Sequence, residues 1–494
     1  MIRTVIQNRT FTAVLLILVN LVFCAPSAWA ELRYSYTPEL NDSQILANAS
    51  VKASEIWVFD PAASTGSTLD CCDWSTGPGS RFEGQTDSYV MPANQSVKID
   101  LRDYAVGSER TLSFSGGTGN GSLTFAVTVG DGFVKPVLAQ SGPVQASSDG
   151  AVIENLRIST SQGDSCAVRV ENRNDVVVRN IEIAHHGNGI CVINSNNIRI
   201  ENVNIVSVSA PEAGPHCSFG VGNCYAETKT SSWADPFTRL NIFITDSDNV
   251  SVEFAYLEKG SSGIYLKSSD DSKLYDIQCQ DARGPKPMGN CVLWDESDNG
   301  QLKNFSVQNF KNISHVEDNV NLYNSDNGSV SHGFIDGNYS IFGVGVIADF
   351  GSDNLNISNV DVSRVGVAAI NVWSGGDNST IGQNFTARNI RVRDTVCEGR
   401  HGTTPSSNGI AIAVHPAANN PKITDTIYWN HCRPDAPTYC TSSYCRTGSG
   451  GEFDIKEQEF QMKDPLKLIF DWQRDETPIQ PVSSTPRIIS IEVQ

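Results

Sequence analysis

Past its first 30 residues the chain has no apolar run long enough to cross a bilayer, so no membrane-spanning body is expected there. Basic residues are scarce: 36 Lys and Arg stand against 55 Asp and Glu, a net charge of −19. Such a field disfavours nucleic acid and anionic membrane as partners. It also means that a polyanionic sugar would need a local basic patch or bridging cations, whereas a neutral sugar meets no barrier. Helix-length periodicity is absent from about residue 150 onward, which excludes a helical bundle. No Cys-x-x-Cys pair faces a second one, so a structural zinc site gives way to disulfides.

What the chain does contain begins with a segment built like a secretory signal. Residues 1–30 carry Arg3 and Arg9, an apolar stretch over 13–24 and the small-residue end Ser27-Ala28-Trp29-Ala30, which predicts export to a secreted or periplasmic location. Cys24 would leave with it, so twelve of thirteen cysteines remain, an even number suited to an oxidising compartment. Losing Arg3 and Arg9 takes the basic count from 36 to 34 against 55 acids, net −21. Cys217 with Cys224 would close a small loop, and Cys432, Cys440 and Cys445 crowd together, but spacing alone leaves the pairing open.

The dominant signal is a turn that keeps returning. It reads Ser247-Asp248-Asn249, Ser269-Asp270-Asp271, Ser297-Asp298-Asn299, Ser325-Asp326-Asn327, Ser352-Asp353-Asn354 and Gly376-Asp377-Asn378. The middle positions are 22, 28, 28, 27 and 24 residues apart, a solenoid period. Between turns lie short alternating runs rich in Val, Ile and Asn, which predict three strands per coil of a parallel β-helix over residues 150–432. The recurrent Asn at positions such as 174, 196, 249, 299, 327 and 354 suits a left-handed turn, and its amide can bond the same Asn one coil away. Residues 31–149 lack the repeat and are expected to form an N-terminal cap or small β region, and residues 433–494 a C-terminal capping segment or tail. Two long loops, residues 210–238 with His216 and Trp233, and residues 396–408 with Arg400 and His401, would shape a groove.

The coil pattern and Asn turns of residues 150–432 resemble the right-handed parallel β-helix superfamily typified by pectate lyases and polygalacturonases. That resemblance implies an all-β solenoid, many of whose members cleave or modify polysaccharide along the outer face of one sheet. No specific family motif accompanies it: Glu317-Asp318 is a loose echo of the polygalacturonase aspartate pair, and Gly-His-Gly and Arg-x-Lys are absent.

Counting back from each turn sets the register. The outward column becomes Lys267, Asp295, Tyr323, Asp349 and Trp373, with Val192, Ile244, Leu266, Trp294, Leu322, Ala348 and Val372 pointing inward. A second outward column holds Tyr265, Leu293, Asn321, Ile347 and Asn371. Lys267, Asp295, Tyr323 and Asp349 are the candidate catalytic groups, and Tyr265, Arg283, Glu317, Asp318, Asn321 and Trp373 the candidate substrate contacts. For β-elimination from a uronate, Lys267 or Tyr323 would be base or acid, and Arg283, or a cation held by Asp295, Glu296 and Asp349, would neutralise the carboxylate. For hydrolysis, Asp295 and Asp349 are two coils apart, about 10 Å, near the upper end of the inverting range of about 6.5–9.5 Å. The expectation is a secreted polysaccharide lyase on a uronate polymer, with an inverting hydrolase, a uronate epimerase, or a non-catalytic glycan-binding adhesin as alternatives. His185, His186 and His315 are further candidates for the groove edge. The sequence points to no definite cofactor; calcium would suit the acidic turns, though the Gly-rich calcium-binding nonapeptide is missing.

Overall fold

The computed structural model describes residues 137–473 except 164, 211–238, 285–288, 312, 315, 339–342, 374–381, 396–409, 416–417, 419, 431–451 and 469. Outside that span it describes the backbone of ten short strands. The signal-like segment, Cys217, Cys224, His315, Cys432, Cys440, Cys445 and the two long loops therefore lie outside the described residues. Two compact units are present: residues 1–80, 85–134 and 477–494, and residues 81–84 and 135–476. The first contains two five-stranded sheets, one of which includes Arg487–Val493 paired antiparallel to Gln95–Asp100.

The second unit is a right-handed parallel β-helix. Its strands form one sheet of twelve and one of ten, with every neighbouring pair parallel. Each coil contributes a short strand to the ten-stranded sheet, such as Val292–Asp295, then a turn, then a longer strand to the other, such as Gln301–Gln308. The longer strand is two short ones joined by a single left-handed residue, as at Asn155, Asn180, Asn202, Asp276, Asn304 and Asn359. Asn pays little for this conformation, and its amide bonds the neighbouring coil, as in Asn180 Nδ2 to Asn155 Oδ1 at 3.0 Å and Asn202 Nδ2 to Asn180 Oδ1 at 2.7 Å. Alternation along each strand sends Val192, Ile244, Leu266, Trp294, Leu322, Ala348 and Val372 into one continuous core, none more than 2% exposed. Each such side chain contributes roughly 1.5–3 kcal/mol by leaving water.

All three residues of the recurring turn are structural. Each Ser is buried and its Oγ accepts the backbone N–H of the Ser one coil earlier: Ser247 to Ser269 at 3.0 Å, then Ser269 to Ser297 and Ser297 to Ser325 at 2.9 Å. Each Asp carboxylate accepts the backbone N–H of the Asp one coil later, Asp270 to Asp248 at 2.9 Å and Asp298 to Asp270, Asp326 to Asp298 and Asp353 to Asp326 at 2.7 Å. The Asn forms the expected amide ladder, Asn327 to Asn299 at 3.3 Å and Asn354 to Asn327 at 3.1 Å. The ladder corrects the position of the sixth turn. It continues to Gln383, whose N–H meets Asp353 at 2.6 Å, and to Asn384, bonded to Asn354 at 2.9 Å. The turn of that coil is thus Gly382-Gln383-Asn384, whereas Gly376-Asp377-Asn378 lies outside the described residues.

Two disulfides are described, Cys166–Cys191 and Cys279–Cys291. After the last strand of the twelve-stranded sheet, Glu452–Glu457, residues 458–473 run back over the outer face of that sheet. Arg393 Nη1 donates to Phe460 O at 3.0 Å, Lys463 N–H to Asp361 Oδ2 at 2.8 Å and Leu468 N–H to Gln278 Oε1 at 3.1 Å, and Phe470 sets an edge against Phe254. Gln278, Asp361 and Arg391, whose guanidinium lies over the Phe460 ring, share one register column, with Ser306 and Phe334 between the first two, so the strap runs across the coils. No helix among the described residues is long and apolar enough to cross a membrane.

Candidate functional site

Strand pairing puts Lys267 beside Asp295, Asp295 beside Tyr323 and Tyr323 beside Asp349 in one unbroken register. Val372 pairs with Ala348 before it and Val414 after it, so the next two members of the column are Trp373 and His415. Trp373 N–H donates to Ala348 O at 2.8 Å and His415 N–H to Val372 O at 3.1 Å, and the two rings meet edge to face with centroids 5.8 Å apart. The outer face of the ten-stranded sheet therefore carries a cation, two carboxylates, a phenol, an indole and an imidazole on consecutive coils.

Asp295 is held from one side. Tyr265 OH donates to its Oδ2 at 2.5 Å, and Lys267 Nζ lies 3.6 Å from the same oxygen. Asp349 Oδ1 accepts the Phe350 N–H at 3.0 Å. Phe350 sits in the left-handed region at φ 49°, which brings its ring to 4.5 Å from that of Tyr323. Burial pushes the Tyr323 phenol above its ordinary value, and Asp349, Asp295, Glu296 and Glu317 push the same way by repelling a phenolate. Burial likewise raises Tyr265, helped by its bond to Asp295. Both phenols stay protonated and can donate but not act as bases near neutral pH. Burial lowers His415, so its imidazole is neutral there. Among the described residues no group of three or more His, Cys, Asp or Glu is arranged to hold a metal ion.

Other expected contacts are placed differently. The second column is covered: Tyr265, Leu293, Asn321, Ile347 and Asn371 are 4–8% exposed, and Leu240, Tyr265 and Leu293 form a small apolar cluster against Phe243 and Tyr323. Asn321 spends its amide on Asp318, Nδ2 to Oδ2 at 3.1 Å, and Asp318 is itself buried. Glu317 is partly exposed and near enough to act on Tyr323. Arg283 is 2% exposed and donates to Ile313 O at 2.9 Å, so its guanidinium is engaged inside the fold rather than presented to a substrate. His185 is fully buried, its Nε2 2.8 Å from Asn241 Oδ1, and the Nδ1 of His186 lies 2.9 Å from Thr160 O. His415 and Phe350 escaped the sequence reading. The alternation Ile410-Ala411-Ile412-Ala413-Val414 is the signal that would have placed His415, but it follows a long loop that breaks the count.

No family model matches the chain, and no curated protein matches it. Solved structures do. PfbA, a surface adhesin of Streptococcus pneumoniae, is 11% identical over 67% of this chain and 75% of its own, with a TM-score of 0.40. The endo-xylogalacturonan hydrolase of Aspergillus tubingensis is 9% identical over 65% of this chain and 91% of its own, TM-score 0.37. The GH136 lacto-N-biosidase of Eubacterium ramulus is 11% identical over 64% of this chain and 63% of its own, TM-score 0.34. At such identities and scores, neither substrate nor mechanism carries over.

Proposed function

We propose that the protein is an exported, inverting glycoside hydrolase that binds a neutral polysaccharide along the ten-stranded sheet. The observation that carries this is the shared register of Asp295 and Asp349 on either side of Tyr323. Two coils separate them by about 10 Å of backbone, and side-chain rotamers can narrow that to the span of about 6.5–9.5 Å that leaves room for a water. Asp295, approached by the Lys267 ammonium and the Tyr265 hydroxyl, suits the base that takes a proton from water attacking the anomeric carbon. Asp349 suits the acid that protonates the departing glycosidic oxygen, with the Tyr323 hydroxyl a donor between them. Trp373 offers an indole face to the C–H face of a sugar.

Elimination from a uronate has weaker support. Its base would have to be Tyr323 or Lys267, but the phenol is held protonated and the ammonium faces Asp295. Asp295, Glu296, Glu317 and Asp349 around Tyr323 also repel a polyanion. Two disulfides are consistent with an oxidising compartment. The test is a panel of neutral glycans and polyuronates, followed by reducing ends, ultraviolet absorbance and the anomeric configuration of the first product. Hydrolysis of a neutral glycan with inversion is expected. An unsaturated uronate product would establish a lyase instead, and retained binding with no product from any glycan would establish an adhesin.

A further inference from the structure

Glu317 lies near enough to act on Tyr323, and before it a buried polar network fixes Phe310, Ile313 and Ser314 ahead of the strand that begins at Asp318. Asp281, 5% exposed, receives two groups from this segment on one oxygen: Phe310 N–H to Oδ1 at 3.1 Å and Ser314 Oγ to Oδ1 at 3.3 Å. Arg283 Nη1 donates to Ile313 O at 2.9 Å. Arg283 and Gly284 are themselves anchored to the preceding coil, Arg283 N–H to Gly260 O at 2.8 Å and Gly284 N–H to Ser261 O at 3.1 Å, and Asp281 N–H donates to Gln308 O of the following coil at 2.9 Å. Asn309 closes the base, its Oδ1 accepting Ala282 N–H at 3.0 Å and its Nδ2 donating to Asn319 Oδ1 at 2.8 Å. Burial raises the Asp281 carboxyl, while the Phe310 N–H and the Arg283 charge favour its ionised form.

We propose that Asp281 and Arg283 are positioning residues, a buried clamp that holds the turn at residues 310–314 so that Glu317 stands at the edge of the glycan groove. The proposal rests on the reading of the Lys267 to Asp349 column as a glycan-binding face. A buried guanidinium on the Ile313 carbonyl and a buried carboxylate on two donors of one turn hold that turn in one conformation, because the charged groups, if left unpaired, would remain away from water. Neither residue needs to touch the sugar. The role differs from neutralising a substrate carboxylate, which requires an accessible guanidinium.

The test uses the full-length protein and two variants, Arg283→Met and the milder Ser314→Ala. Hydrogen exchange is followed in residues 309–318 and, as an internal reference, in the strand Val292–Asp295. Exchange over 309–318 should rise about tenfold in Arg283→Met, the factor equivalent to ~1.4 kcal/mol of local stability. It should rise less in Ser314→Ala, and the reference strand should be unchanged in both. Unchanged exchange at 309–318, or an equal rise in the reference strand, overturns the clamp. With a glycan that the wild type hydrolyses, Arg283→Met should raise KM, and that rise should disappear in a Glu317→Gln background; equal rises in both backgrounds overturn the link to Glu317. If the wild type turns over no glycan, the hydrolase reading falls, and the exchange result alone decides the clamp.

Discussion

Gly300→Ala probes how tightly the core is filled behind Asp295. A Cβ at position 300 would lie 2.3 Å from Trp294 Nε1, 2.6 Å from Cε2 and 2.9 Å from Cδ1. Trp294 is fully buried, and its indole N–H donates to Ser272 Oγ at 2.8 Å. Non-bonded carbons settle at about 3.5–4.0 Å, so the indole must move by about 1 Å within a closed core. Overpacking of this kind costs about 1–3 kcal/mol, and losing the indole hydrogen bond adds about 1 kcal/mol. The expected destabilisation is therefore about 2–4 kcal/mol, and Asp295, next along the strand, should shift with it. Denaturant unfolding of the wild type, Gly300→Ala, Trp294→Ala and the double variant measures this. Truncating the indole removes the atoms that the new methyl meets, so Gly300→Ala should cost at least about 1 kcal/mol less in the Trp294→Ala background. A Gly300→Ala protein within about 0.5 kcal/mol of wild type, or equal costs in both backgrounds, would refute the packing argument.

Three further outcomes are expected. Trp373→Ala should raise KM for the glycan about three- to tenfold, the effect of losing ~0.5–1.5 kcal/mol of ring contact, and leave the melting temperature near that of wild type; an unchanged KM would remove Trp373 from the groove. Burial lowers His185 below its ordinary 6.5, against the opposing Asn241 and Gly187 contacts. An unfolded chain would take up the proton first, so stability held above pH 6.5 should be lost as pH falls through the folded value. Urea melts across that window should slope less steeply in His185→Gln, and equal slopes would contradict the assignment. Asp361→Ala would strip Arg391 of its bidentate partner and Lys463 N–H of its acceptor. Breaking a buried pair costs about 3–5 kcal/mol, and the strap should then be cut by trypsin after Lys463 or Lys467 while the solenoid core stays intact; a strap as resistant as in wild type would argue against it.

Much of the solenoid was legible because its physics is periodic. The inward set from Val192 to Val372 and the column from Lys267 to Trp373 follow from side-chain alternation and a fixed turn, and both need only counting. Counting failed where the coil length changed: Gly376-Asp377-Asn378 stood in for Gly382-Gln383-Asn384, and His415 went unplaced beyond the next loop. The roles of Ser and Asp within the turn were hidden for another reason, since a hydroxyl or carboxylate gives no sign in sequence that it will meet a backbone N–H on an adjacent coil. Burial of the second column was equally invisible, because Tyr265 and Asn321 alternate correctly and only tertiary packing covers them. Arg283 shows the limit most clearly: a cation in a loop beside a groove reads as a substrate contact, yet its geometry ties it to Ile313. The strap at residues 458–473 has no periodicity at all, being held by isolated side chains of four different coils.

Whether Asp295 and Asp349 act together on one glycosidic bond is decided by the turnover of Asp295→Asn, Asp349→Asn and the double variant on a neutral glycan that the wild type cleaves. If the two carboxyls serve one transition state, each single variant should lose about 10²–10⁴ in kcat, and the double variant should be little worse than the poorer single. Single variants that keep wild-type kcat, or losses that simply multiply in the double, would contradict it.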